Sequence, residues 1–204
     1  MGLLSSRMSV TRYQVTGQMD GSVHETVYQG LKKHAIPKIE DDSSEATVGW
    51  TSFETPYAPD FEGYSFVFGT QMVFALRIDK KSIPPKLIQK HYALYVAKRL
   101  ADTGRHYLSG NEKKSIKDHV VNTLVHRIPS APNVYDVVWE YDTASLWFFS
   151  NLKAANEALE TLFIKSFNLQ LIRLFPYTIA DRMSGLSDQE RDVLQKLAKR
   201  RSEE

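Results

Sequence analysis

Between Met72 and Leu100 the spacing of apolar side chains changes period, and this limits the fold more than any other feature of the chain. Met72, Phe74, Leu76 and Ile78 recur at every second residue, as on a strand with one strongly buried face. Tyr64, Phe66 and Phe68 do the same on the other side of Gly69-Thr70, so the two runs predict a hairpin. Pro84-Pro85 then suits the first turn of a helix. Beyond it, Ile88, Tyr92, Tyr95, Val96 and Leu100 fall within an arc of about 140° at helical rotation. A chain that carries both periods side by side joins a sheet to helices.

The remaining elements follow from the same signals. Ser9–Thr16 alternates as a strand, and Ser22 with Glu25 forms a capping-box pattern before Val23, Val27 and Leu31. That helix should stop before Pro37. Thr47–Phe53 reads as a strand, after the acidic loop Glu40–Glu45. Past the helix that starts at Pro84-Pro85, Ser109-Gly110-Asn111-Glu112 is a capping box for a second helix burying Ile116, Val120, Leu124 and Ile128. Val134–Tyr141 and Ser145–Ser150 predict another hairpin, Asn151–Ser166 a helix, and Leu169–Phe175 a strand closed by Pro176. Ser187–Glu190 opens a last helix carrying Val193, Leu194 and Leu197 and ending at Lys199-Arg200-Arg201. Trp50, Trp139 and Trp147 fall on predicted strands and are expected in the core. The expected class is α+β: a sheet-based body over 1–79 and 130–183, a helical arm over 80–129, and a terminal helix over 184–204.

The arm is where the charge lies. From Arg77 to Arg127 twelve Lys or Arg stand against four acids, a local +8 in a chain whose total is +2, so the remainder carries −6. Such a block points to a polyanion partner, against the alternative of a solvated helical face. If the first arm helix runs past Gly104, Lys86, Lys90, Lys98 and Arg105 lie opposite its apolar face. Lys113, Lys114 and Lys117 occupy the early turns of the second helix, where the dipole disfavours cations by a few tenths of a kcal/mol. Phosphates would account for them. The arm has no run of exposed aromatics for stacking single-stranded bases, so duplex DNA is the expected ligand.

Composition removes several chemistries. The 204 residues contain no cysteine, which excludes thiolate catalysis and cysteine-ligated metals and favours a cytoplasmic setting. No apolar run reaches the roughly 18 residues of a membrane span, and the first residues are too polar for a secretory signal. Met1-Gly2 through Ser6 fits a lipidation pattern loosely. The six histidines lack metal-site spacing, and no nucleophile elbow or glycine-rich phosphate loop is present. One enzymatic alternative stays open: Pro59-Asp60 followed by Asp79-Lys80-Lys81 fits a loose nuclease pattern. There Asp60 and Asp79 would hold Mg²⁺ and Lys81 would orient water. Otherwise no cofactor is expected, and a protein–protein adaptor is the third reading.

Four stretches carry a family likeness: Gly49-Trp50; Lys80-Lys81-Ser82-Ile83-Pro84; Glu112 to Val120, reading EKKSIKDHV; and Ser150 to Glu157, reading SNLKAANE, with Leu159 and Leu162 after it. From about Thr47 to Phe175 the sequence resembles the RdgC family of recombination-associated proteins, also labelled as exonucleases. The resemblance implies sequence-independent double-stranded DNA binding by a ring-shaped homodimer, a nucleoid location, and restraint of recombination driven by a RecA-type recombinase. It assigns phosphate contacts to Lys80, Lys81, Lys113, Lys114 and Lys117. Lys86, Lys90, Lys98 and Arg105 join them from the helix-face reasoning alone. The sequence departs from the family at Ile128–Asn133, where a phenylalanine-bearing tip is expected.

Overall fold

A computed structural model of the chain describes residues 2–37, 46–175, 178–180 and 185–193. The fold is α+β. In chain order the elements are β1 (Thr11–Thr16), α1 (Val23–Lys33), β2 (Ala46–Thr51), β3 (Val67–Phe68), β4 (Gln71–Lys80), α2 (Pro85–Thr103), α3 (Gly110–Val125), β5 (Ala131–Glu140), β6 (Ser145–Phe148), α4 (Lys153–Phe167) and β7 (Gln170–Arg173). The strands form one sheet in the order β2-β4-β5-β6-β1-β7, with β3 on β4. β1 lies antiparallel between β6 and β7, with Tyr13 opposite Leu146 on one side and Arg173 on the other. The chain divides into two compact units, Met1–Ile36 with Val48–Arg77 and Val134–Glu204, and Pro37–Thr47 with Ile78–Asn133.

The first unit is built around aromatic rings. Trp50, Phe74 and Trp139 project from β2, β4 and β5 onto Phe163 and Phe167 of α4, with centroid separations of 5.0 to 6.4 Å. α1 packs on α4 where Gly30 leaves room for the Phe167 ring. Trp50 Nε1 donates to Ser166 Oγ at 2.7 Å, whereas the Nε1 of Trp139 is buried with no acceptor among the described residues. On another part of the sheet, Val73, Val138 and Phe149 form a second cluster, joined by half-buried Trp147, Leu3 and Phe53. Trp147 is therefore only partly enclosed.

Two of the family-like stretches prove structural. The Cα of Gly49 approaches the backbone of Ile36 so closely that a Cβ there would lie 2.5 Å from Ile36 Cα and N. This contact brings Trp50 beside Ala35, with Ile36 N–H donating to Trp50 O at 2.8 Å and Trp50 N–H to His34 O at 2.9 Å. In the second stretch Asn156 is fully buried. Its Nδ2 donates to Leu152 O at 2.8 Å and to Ser150 O at 3.3 Å, and its Oδ1 lies 2.6 Å from the Tyr13 hydroxyl. Glu160 and Arg173 complete that network at 2.9 and 3.2 Å from the same hydroxyl. Burial pushes the Tyr13 phenol far above its ordinary value; Arg173 opposes the shift and Glu160 adds to it.

Several expectations are corrected. β4 is buried on both faces from Met72 to Arg77, because Val73 joins one cluster while Phe74 joins the other. The Tyr64-Phe66-Phe68 strand shrinks to Val67–Phe68. Before it, Glu62–Tyr64 form a 3-10 turn in which Gly63 and Tyr64 have φ of 62° and 55°. Ser22 precedes α1 without a side-chain cap, since the Glu25 carboxylate instead accepts from Gln29 and Tyr64. Leu152, the first of the apolar repeat Leu152, Ala155, Leu159 and Leu162 in the expected Asn151–Ser166 helix, flanks the start of α4 and is 56% exposed. α2 stops at Thr103, where Gly104 turns left-handed (φ 64°). The predicted cap at Ser187 binds the Glu190 carboxylate, and residues 188–193 are helical with Val193 exposed. Leu194, Leu197, Lys199, Arg200, Arg201, Pro176 and the acidic loop lie outside the described residues.

Candidate nucleic-acid interface

The second unit contains α2 and α3 packed together. Proline at the first turn starts α2, and Ser109 starts α3 through the predicted capping box. Glu112 N–H donates to Ser109 Oγ, and the Glu112 carboxylate accepts from Ser109 N–H at 2.9 Å. Arg105 Nη2 closes on the same carboxylate at 2.6 Å. The Ser109 amide, then the Arg105 guanidinium, hold the Glu112 carboxyl down at about 2. Tyr95 and His119 meet edge to face at 5.3 Å between centroids. With Arg105 beside Glu112, this sets an antiparallel register that brings Lys98 level with Lys117.

Lys80 at the end of β4, and Lys86, Lys90, Lys98, Lys113, Lys114 and Lys117 along this hairpin, are all exposed, and none makes an ion pair among the described residues. Asp118, one turn after Lys114, does not neutralise it. Measured by the register, the six hairpin lysines extend from Lys86 to the level of Ala101, a length of about 22 Å at 1.5 Å per residue. On α2, Lys86, Lys90 and Lys98 share an arc of about 140° with exposed Ala93, Ala97 and Ala101, whose methyl groups keep that face low. On α3, Lys117 follows Lys113 by four residues and Lys114 by three, and each such like-charge pair costs about 0.2–0.5 kcal/mol. Local stability is spent there on charge.

Two of the nine expected phosphate-binding residues differ from the rest. Arg105 does not belong to the α2 face, because the helix ends before it, and its charge is matched by Glu112. Lys81 is half-buried and already engaged in an interaction of its own. Sequence reasoning counts Tyr107 with Tyr92 and Tyr95 among the arm tyrosines but gives it no role; it is 79% exposed in the loop between the helices. Nothing in its spacing marks it, since it follows no helical period.

The nuclease pattern divides between the units. Asp60 is exposed in the first, its Oδ1 accepting from Glu62 N–H at 2.9 Å. Asp79 is buried near the end of β4 in the second, with Lys81 two residues on. Among the described residues no three His, Asp or Glu side chains gather as they would around a metal ion. Nor is any described helix long and apolar enough to cross a membrane. A family model described as "Putative exonuclease, RdgC" matches residues 8–181, and no curated protein matches the chain.

Proposed function

The chain belongs to the RdgC family, whose role is recombination-associated DNA binding, and from that premise we propose that the α2–α3 hairpin grips duplex DNA by its phosphates without reading sequence. One observation supports this above the others: six exposed lysines, without ionic partners among the described residues, strung along a single helical hairpin. A solvated face made for stability would set opposite charges around each lysine, whereas α3 puts both Lys113 and Lys114 within one turn of Lys117. Phosphates supply what is missing. Each one neutralised releases condensed counterions, which makes binding tight, salt-dependent and indifferent to base sequence. The roughly 22 Å of lysine-bearing helix compares with about 34 Å for one turn of duplex, so one arm covers a substantial part of a turn.

A homodimer brings two such arms to one duplex, and a chain that coats DNA in this way competes with a RecA-type recombinase for the same substrate. It would reside on the nucleoid. The test is binding to two duplexes of equal length and unrelated sequence at 50 and 200 mM salt. The expected result is equal affinity for both and a fall of about 10³- to 10⁵-fold between the two salt concentrations. Affinity that ignores salt, or no binding at the lower concentration, would overturn the proposal and favour a protein–protein adaptor.

A further inference from the structure

The loop at the tip of the arm has a ring without a task. Gly104 caps α2 through its N–H to Ala101 O, and Arg105 is clasped to Glu112. Leu108 is buried, and Ser109 is fixed by the capping box. Between these anchors Tyr107 stands 79% exposed. Among the described residues it touches no other ring and its hydroxyl has no hydrogen-bond partner. The other arm tyrosines are occupied differently: Tyr95 packs against His119 and Tyr92 is half-buried. A single exposed aromatic on a surface is ordinary. This one differs in being fixed on both sides by anchored neighbours, beside exposed His106, with Lys113 and Lys114 on the first turns of the helix that follows.

From this placement we infer that Tyr107 is a stacking platform for an unpaired base, so that the arm favours duplex carrying a single-stranded overhang or gap over blunt duplex. The inference rests on the phosphate-binding reading of the same arm and adds a substrate class to it. The flat face of a tyrosine accepts any base, and holding a ring with only two torsions costs little entropy. The anchored loop has already met most of that cost. Lysines of α3 would hold the backbone of the strand whose base stacks, in the way that single-strand binders combine charge with a ring.

Fluorescence anisotropy with two labelled ligands tests this: a blunt duplex, and the same duplex extended by a short single-stranded overhang. Tyr107→Ala should weaken binding of the overhang substrate by about 5- to 150-fold and leave the blunt duplex unchanged, while Tyr107→Phe keeps both affinities. Overhang binding by Tyr107→Ala equal to wild type, or equal weakening on both ligands, overturns the inference. Either result leaves the duplex reading standing, provided the wild-type protein still holds blunt duplex with steep salt dependence. If the wild-type protein binds neither ligand, the reading beneath the inference falls with it.

Discussion

Gly49→Ala should be among the most damaging single-methyl changes in the chain. The new Cβ would lie 2.5 Å from both Cα and N of Ile36 and 3.0 Å from C of Ala35. Carbon atoms rest about 3.5–4.0 Å apart, so the two backbones must separate by roughly 1 Å. All three atoms belong to the main chain and have no rotamer to turn away. The separation stretches the 2.8 Å and 2.9 Å bonds that join Trp50 to Ile36 and His34 beyond hydrogen-bonding range. Each bond contributes about 1 kcal/mol net, and more where its donor or acceptor is left buried and unpaired. Against this, alanine restricts the unfolded chain, a gain of about 0.4–1 kcal/mol. The balance is a loss of about 2–4 kcal/mol before any movement of Trp50, which would lower the midpoint of a domain this size by roughly 5–15 °C. Thermal denaturation followed by circular dichroism measures it. Gly110→Ala is the control: nothing lies within 4 Å of the added Cβ at the first residue of α3, so it should be neutral or stabilising by up to about 1 kcal/mol. If Gly49→Ala melts with or above the wild type, the close approach of β2 to Ile36 is wrong.

Two further outcomes follow from the same kind of bookkeeping. Trp50→Phe removes the bond to Ser166, whereas Trp139→Phe removes a buried donor that has no acceptor, so the second should cost about 1–2 kcal/mol less in urea denaturation; the reverse order would refute the assignment of those two indoles. Because the Glu112 carboxyl is held down, its contribution is complete above its unfolded value near 4.5 and is lost as pH falls toward about 2. Glu112→Gln should therefore flatten the acid limb of stability against pH in that window, and an unchanged limb would show that the capping box and Arg105 clasp do not form in solution.

What can be read from the sequence divides by the range of the interaction. The Ser109 cap is legible because both partners lie within four residues, and Pro84-Pro85 marks the start of α2 for the same reason. The identical pattern at Ser22 misleads, since Glu25 is claimed by Tyr64, which is 39 residues away. Gly104 can be read as tolerated or terminating, and only its left-handed backbone decides that Arg105 leaves the α2 face. The two-sided burial of β4 is hidden because Arg77 and Asp79, which should mark a wet face, are both buried. Asn156 gives no signal either: its partner Tyr13 on β1 is 143 residues away and meets it only in three dimensions. For the candidate interface, charge density is legible and pairing is not. Counting residues cannot separate the matched Arg105 from Lys113, which has no ionic partner among the described residues, nor single out Tyr107 among three arm tyrosines.

The decisive measurement is the slope of log affinity against log salt for one duplex, taken for the wild-type protein and for the Lys113→Ala, Lys114→Ala, Lys117→Ala triple variant. If these lysines meet phosphates, the slope of the variant should be shallower by about 2.7, near 0.9 for each phosphate that is no longer neutralised. Parallel lines for the two proteins would mean that the ammonium groups of α3 never touch the DNA.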